Sequence, residues 1–166
     1  MFKFATALFA GLTGATAAML VTTAADAKPL PVGYVNPHQL VYRAVNQAGY
    51  PILHNHESCT ENPKFMGGVL HRGKTPIAFV VCLDNAPDLT TAFTTVRHEG
   101  IHVAQICKGG LLFPRDEDRN IARAQDEGWH ILGYPESQWS TEAEARVMAN
   151  EWDAYEVAAA IRHFCF

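Results

Sequence analysis

The sequence predicts an α+β fold in which a small antiparallel sheet packs on a central helix, with further helices around it. Three observations carry this reading. The stretch from Met66 to Leu83 holds two short apolar runs parted by a Gly-containing turn, which is the pattern of a hairpin. Residues 89–107 read as a buried helix, with Val96, Ile101, Val103, Ala104 and Ile106 around His98-Glu99-Gly100-Ile101-His102. Apolar residues also recur at helical spacing over 36–49 and 142–163.

The first 27 residues stand apart from the fold. Met1-Phe2-Lys3-Phe4 is a short basic start, residues 5–25 are small or apolar without charge, and Ala25-Asp26-Ala27 fits a small-x-small cleavage site. This predicts a secretory signal peptide and an exported protein, periplasmic or extracellular. An uncleaved anchor is the competing reading, opposed by the Gly, Thr and Ala content that keeps the stretch weakly hydrophobic. Cleavage after Ala27 takes 27 of the 166 residues and leaves 139, residues 28–166, enough for one domain with its own core.

The remaining elements follow in order. After a Pro-rich leader over 28–35, Asn36 as N-cap, Pro37 at the first helical position and Gln39 three after the cap predict a helix. Leu40, Val41, Ala44, Val45 and Ala48 form its apolar stripe and Gly49 ends it. The hairpin runs from Met66 to His71, turns at Arg72-Gly73-Lys74-Thr75, and returns from Ile77 to Leu83. Asp84-Asn85-Ala86-Pro87-Asp88 breaks the strand and caps the central helix, expected from Leu89 to Cys107 before Gly109-Gly110. A polar helix is expected from Asp116 to Glu127, then turns through Gly133-Tyr134-Pro135. Thr141-x-x-Glu144 reads as a capping box opening a last helix over 142–163.

Charge and cysteines narrow the function classes. A net charge of −4 with no basic cluster argues against nucleic acid and anionic membrane as partners. All 4 cysteines lie after the leader, where export carries them into an oxidising compartment. Of the three pairings open to them, Cys59 with Cys82 and Cys107 with Cys165 are favoured. The first ties the segment before the hairpin to its second strand, and the second ties the central helix to the C-terminal one. A cysteine zinc site is disfavoured because no Cys-x-x-Cys pair exists.

Chemistry concentrates at His98-Glu99-x-x-His102. On a helix, residues i and i+4 stack on one face, so both imidazoles can meet one ion. Glu99 is turned by about 100° from His98, away from the ligand pair but within reach of a water beside the ion. The 8 histidines of the chain make an accidental match conceivable. A solvated helix with two chance histidines, however, would carry more charge than this one does. The pattern points to metal-assisted hydrolysis with one Zn²⁺ per chain.

Such a site needs a third protein ligand and an open position. A third histidine spaced as His-x-x-Gly-x-x-His is ruled out, because those places hold Gln105 and Lys108. Glu142 extends the stripe of Ala145, Ala149, Trp152 and Tyr155, and a carboxylate on a core-facing stripe needs a partner. Glu144, already given a role as capping-box acid, is the alternative, with Glu151 or an aspartate behind it. Gln105, three after His102, reads either as a support for that histidine or as a surface amide. His54 and His56 would share a strand face and are weaker ligand candidates. His71, His130 and His163 read as surface or partly buried side chains, and Trp129, Trp139 and Trp152 as core aromatics.

His98-Glu99-x-x-His102 followed by Glu142-x-Glu144-Ala145-x-x-x-Ala149 resembles the gluzincin tribe of zincin-like zinc metallopeptidases, especially the small single-domain minigluzincins. The resemblance covers the central helix, the strand before it and the helix of Glu142. It implies His98, His102 and Glu142 as metal ligands, Glu99 as general base, a peptide or protein substrate, and a sheet edge that aligns an extended peptide. Two features depart from it. Arg146 stands where many relatives place Asp or Asn, and the interval from His102 to Glu142 is long. Tyr155, Tyr134 and His130 are candidates for stabilising the oxyanion. Competing functions are a non-catalytic, disulfide-stapled binding module of the same fold, and a zinc hydrolase acting on a non-peptide cell-wall bond.

Overall fold

A computed structural model describes residues 36–128 and 131–166, which fall in one unit, Val35–Phe166. The predicted signal segment and leader, together with Trp129 and His130, lie outside the described residues. Helix α1, His38–Gln47, opens on Asn36, whose Oδ1 accepts from His38 N at 3.0 Å. Val41, Ala44 and Val45 are its buried stripe, and Gly49 stops it at φ +90°, a conformation that costs glycine little.

Strand β1, Ile52–His54, leads to a short helix α2, Glu57–Glu61, begun by His56, whose Nδ1 accepts from Ser58 N. The hairpin follows as β2, Gly67–Arg72, and β3, Thr75–Val81, joined through Gly73-Lys74. The sheet order is β1-β3-β2, with β3 central and buried from Ala78 to Val81.

The fold is α+β, but the sheet is mixed rather than antiparallel. β1 pairs parallel with β3, Ile52 opposite Phe79 and His54 opposite Val81. The physical reason lies in the free edge of β3, whose backbone groups need acceptors and donors that the hairpin does not supply. Pro51 O and Asn55 N meet them, at 2.8 Å from Phe79 N and 3.0 Å from Val81 O. A three-residue run is too short for alternation to announce it, or to say which way it lies.

Helix α3, Leu89–Lys108, is the axis of the molecule, capped by Asp88, whose Oδ1 accepts from Thr91 N at 2.7 Å, and ended by Gly109 at φ +87°. It packs on α1 and on the C-terminal helix at Gly100. A Cβ there would lie 2.8 Å from Val157 Cγ1 and 3.0 Å from Val41 Cγ1, so glycine sets how closely the helices approach. Val41, Val45, Phe79, Ile101, Val157 and Ile161 are fully buried in this core. Helix α4, Glu117–Asp126, packs on α5, Trp139–Glu151, and α6, Ala154–Cys165, closes the chain.

The last helix therefore differs from the single helix expected over 142–163. It starts earlier, and Trp152 is extended at φ −89°, ψ 144°. Asp153 then opens α6 with a capping box of its own: its carboxylate accepts from Tyr155 N and Glu156 N, and Glu156 Oε2 accepts from Asp153 N at 2.8 Å. The box predicted at Thr141 does not form. Thr141 lies inside α5 and donates its hydroxyl to Gln138 O, so Glu144 is free for another task.

Both expected disulfides are present, Cys59–Cys82 and Cys107–Cys165, with Cα–Cα distances of 5.4 and 5.1 Å. The second joins α3 to α6. The first closes a smaller cluster of Ala78 and Val80 with Leu53 and Phe65. Among the described residues, no helix is long and apolar enough to cross a membrane.

Candidate metal centre

One turn apart on α3, His98 and His102 turn their rings toward one point, with Nε2 atoms 3.1 Å apart. From α5, the Glu142 carboxylate closes a triangle: Oε2 lies 3.4 Å from His98 Nε2, and Oε1 lies 3.3 Å from His102 Nε2. Tetrahedral zinc with ligand bonds of about 2.0–2.1 Å holds its ligand atoms about 3.3–3.4 Å apart. Each imidazole nitrogen thus stands at about that spacing from its neighbour and from one of the two Glu142 oxygens, and the mixture of imidazole nitrogen and carboxylate oxygen suits this ion.

Two clamps between α3 and α5 set the register of Glu142. Arg97, directly before His98, donates from Nε to Ala149 O at 2.8 Å. Gln105, three after His102, donates from Nε2 to Thr141 O at 3.1 Å and to Glu144 Oε2 at 2.8 Å. Glu142 is thereby held next to a pinned backbone position. The sequence offered no sign of the Arg97 clamp, because its acceptor is a backbone carbonyl 52 residues away.

Gln105 also fixes the chemistry of His102. Its amide nitrogen is spent on two acceptors, so its oxygen must face His102 Nδ1, 2.7 Å away. That oxygen can only accept, so Nδ1 carries a proton and Nε2 is the nitrogen that the neutral ring presents to an ion. Of the two roles considered for Gln105, the buried support is the observed one.

Glu144 is not at the centre. It is 1% exposed, and its oxygens accept from Gln105, from Leu112 N at 2.8 Å and from Phe113 N at 2.7 Å. This carboxylate ties α5 to the chain leaving α3. Glu151 pairs with Arg123 on the surface. His54 packs edge-on against Tyr42, His71 bonds Gly73 O and His163 meets Phe164, so none joins the centre. Trp139 donates Nε1 to Tyr134 O at 2.9 Å, and the half-buried Trp152 packs edge-on against Phe113. Tyr155 points to solvent, 57% exposed, on α6.

Glu99 is buried, 7% exposed, and faces the start of β2. A Cβ on Gly67 would fall 2.8 Å from Val80 O as well as 3.3 Å from Glu99 Cγ, so the strand fits this closely only as glycine. Burial pushes the Glu99 carboxyl up to about 7. For His102, burial pulls downward, but the Glu142 hydrogen bond, the charges of Glu99 and Glu142, and Gln105 outweigh it and raise the imidazole to about 9. His98 is lowered to about 4, chiefly by burial. For Glu142 burial pulls upward and is outweighed by both histidines, which hold it well below the usual carboxylate range.

His98 Nδ1 is buried without a hydrogen-bond partner. The residue four after Glu142 is Arg146, which can only donate and so cannot take that proton.

Residues 32–166 match a family described as a domain of unknown function, DUF8637. The chain belongs to this family. No curated protein and no solved structure matches it. Family membership covers the whole described fold and names no activity.

Proposed function

We propose that the protein is an exported zinc-dependent metallopeptidase of zincin-like fold, with His98, His102 and Glu142 as ligands and Glu99 as general base. One observation carries this reading: three side chains from two helices converge, the imidazole Nε2 atoms 3.1 Å apart and each 3.3–3.4 Å from one oxygen of Glu142, beside a buried carboxylate that is not one of them. A purely structural site has no use for that fourth group.

When bound, zinc would polarise a scissile carbonyl and lower the pKa of a water molecule to about 7. The rest falls to the chain. Glu99, ionised, accepts the proton of the attacking water on its carboxylate and hands it to the leaving amine. Gln105 keeps Nε2 of His102 turned inward, and Glu144 in turn holds Gln105. Gly67 lets the edge strand β2 run against Glu99, where an extended peptide can lie along it.

The test is metal content together with cleavage of a mixed peptide library. About one zinc per chain is expected, lost in His98→Ala or His102→Ala and kept in Glu99→Gln, with chelator-sensitive cleavage abolished in the last. Equal activity in wild type and Glu99→Gln would sink the mechanism. Zinc without cleavage in either protein would favour the binding-module alternative.

A further inference from the structure

We propose that Arg146, with the Tyr134 hydroxyl beside it, binds a carboxylate of the substrate next to the scissile bond. This rests on the metallopeptidase reading and names the class of peptide it cleaves: one with a free C-terminal carboxylate, or an acidic side chain, at that place.

Arg146 follows Glu142 by one turn on α5, so both lie on the same side of the helix. Its guanidinium reaches the Tyr134 hydroxyl, with which it shares a hydrogen bond, and its charge is felt at His98 and Glu99. It is only half-buried and hence open to a ligand.

What it lacks is a fixed anion. Among the described residues, no carboxylate forms an ion pair with Arg146. Glu142 is engaged by the two imidazoles. Arg97, the other half-buried arginine near the histidines, makes a useful contrast. Its Nε serves Ala149 O, one Nη meets His38 Nε2 at 3.1 Å, and the other donates to Thr94 Oγ1 at 3.1 Å. Arg97 is therefore used up as a clamp, whereas Arg146 shares a hydrogen bond with the Tyr134 hydroxyl and with no carboxylate, and keeps further donors for something that arrives.

The planar fork of a guanidinium that no carboxylate bonds matches an arriving carboxylate with two parallel hydrogen bonds. Tyr134 is in position to add a third donor. It is not on a loose loop: its N–H bonds Ile131 O at 3.0 Å, and its carbonyl is held by Trp139. A cation four residues after the ligand cannot orient His98, but it can orient a substrate.

The test uses the zinc-loaded Glu99→Gln chain and calorimetric binding of four acylated dipeptides: a free acid, its C-terminal amide, and amides carrying Asp or Asn. About tenfold or more tighter binding of the acid over the amide, or of the Asp amide over the Asn amide, is expected, and says which source supplies the carboxylate. Arg146→Gln in the same background should erase that ratio while zinc content and melting temperature hold. Equal affinities within both pairs, or a ratio that survives Arg146→Gln, overturn the inference. So does an absence of binding to all four. Chelator-sensitive library cleavage by the wild type reports separately: if it persists, only the carboxylate site has failed, and if zinc itself does not bind, both readings fall.

Discussion

Gln105 accepts a hydrogen bond from His102 Nδ1 at 2.7 Å, and that contact decides which nitrogen of His102 looks toward Glu142. Removing it should loosen the metal rather than abolish it. Gln105→Leu is expected to weaken zinc about 10- to 100-fold, measured by competition with a chelating dye. An unchanged affinity would mean that the ring is oriented by packing alone.

Glu142 and Glu144 sit two residues apart and should fail in opposite ways. Glu142→Ala is expected to lose zinc and, above about pH 9 where His102 is neutral, to leave the melting temperature of the metal-free chain nearly unchanged. Glu144→Ala removes a buried acceptor of three hydrogen bonds and should cost roughly 2–4 kcal/mol of stability. Denaturant melts of the two metal-free variants test this. Similar midpoints would contradict the division of labour.

Zinc binding should release a proton near neutral pH. In the metal-free chain His102 is raised to about 9, so below that pH it is charged and must deprotonate before its Nε2 can serve as ligand. Affinity should therefore rise by about tenfold per pH unit as pH climbs toward 9. Without metal the sign for stability is opposite: a raised histidine stabilises the fold below its unfolded value of about 6.5, and that contribution fades as pH rises through about 9. Calorimetry in two buffers of different ionisation enthalpy counts the proton; a count of zero would refute the assignment.

Gly67→Ala should separate catalysis from metal binding. Its Cβ would lie 2.8 Å from Val80 O and 2.9 Å from Thr95 Cγ2, besides pressing on Glu99. A stability loss of about 1–3 kcal/mol is expected, with reduced cleavage and full zinc content. Wild-type turnover in a stoichiometrically loaded variant would show that the strand does not position Glu99.

The two disulfides should differ in weight. Their sequence separations are 58 and 23 residues, for which chain entropy gives about 4 and about 3.5 kcal/mol. Cys107→Ala with Cys165→Ala should accordingly lower the denaturant midpoint more than Cys59→Ala with Cys82→Ala.

Much of this protein is legible in its residues because the signals are local. The caps Asn36 and Asp88, the stops Gly49 and Gly109, the hairpin turn and the i, i+4 histidines each act within a few residues, so periodicity and capping chemistry determine α1, α3, β2 and β3 and put His98 and His102 on one face. The stripe that selected Glu142 over Glu144 is local in the same sense. What sequence could not decide depends on neighbours distant along the chain. The parallel pairing of β1 follows from the needs of β3, and Asp153 took the capping box because the chain turns at Trp152. Glu144 became a brace because Gln105, Leu112 and Phe113 brought it three donors. Spacing along one helix determined the two histidines; only the packing of α5 on α3 decided that Glu142 would close the triangle and that Arg146 would stand beside it without a fixed carboxylate.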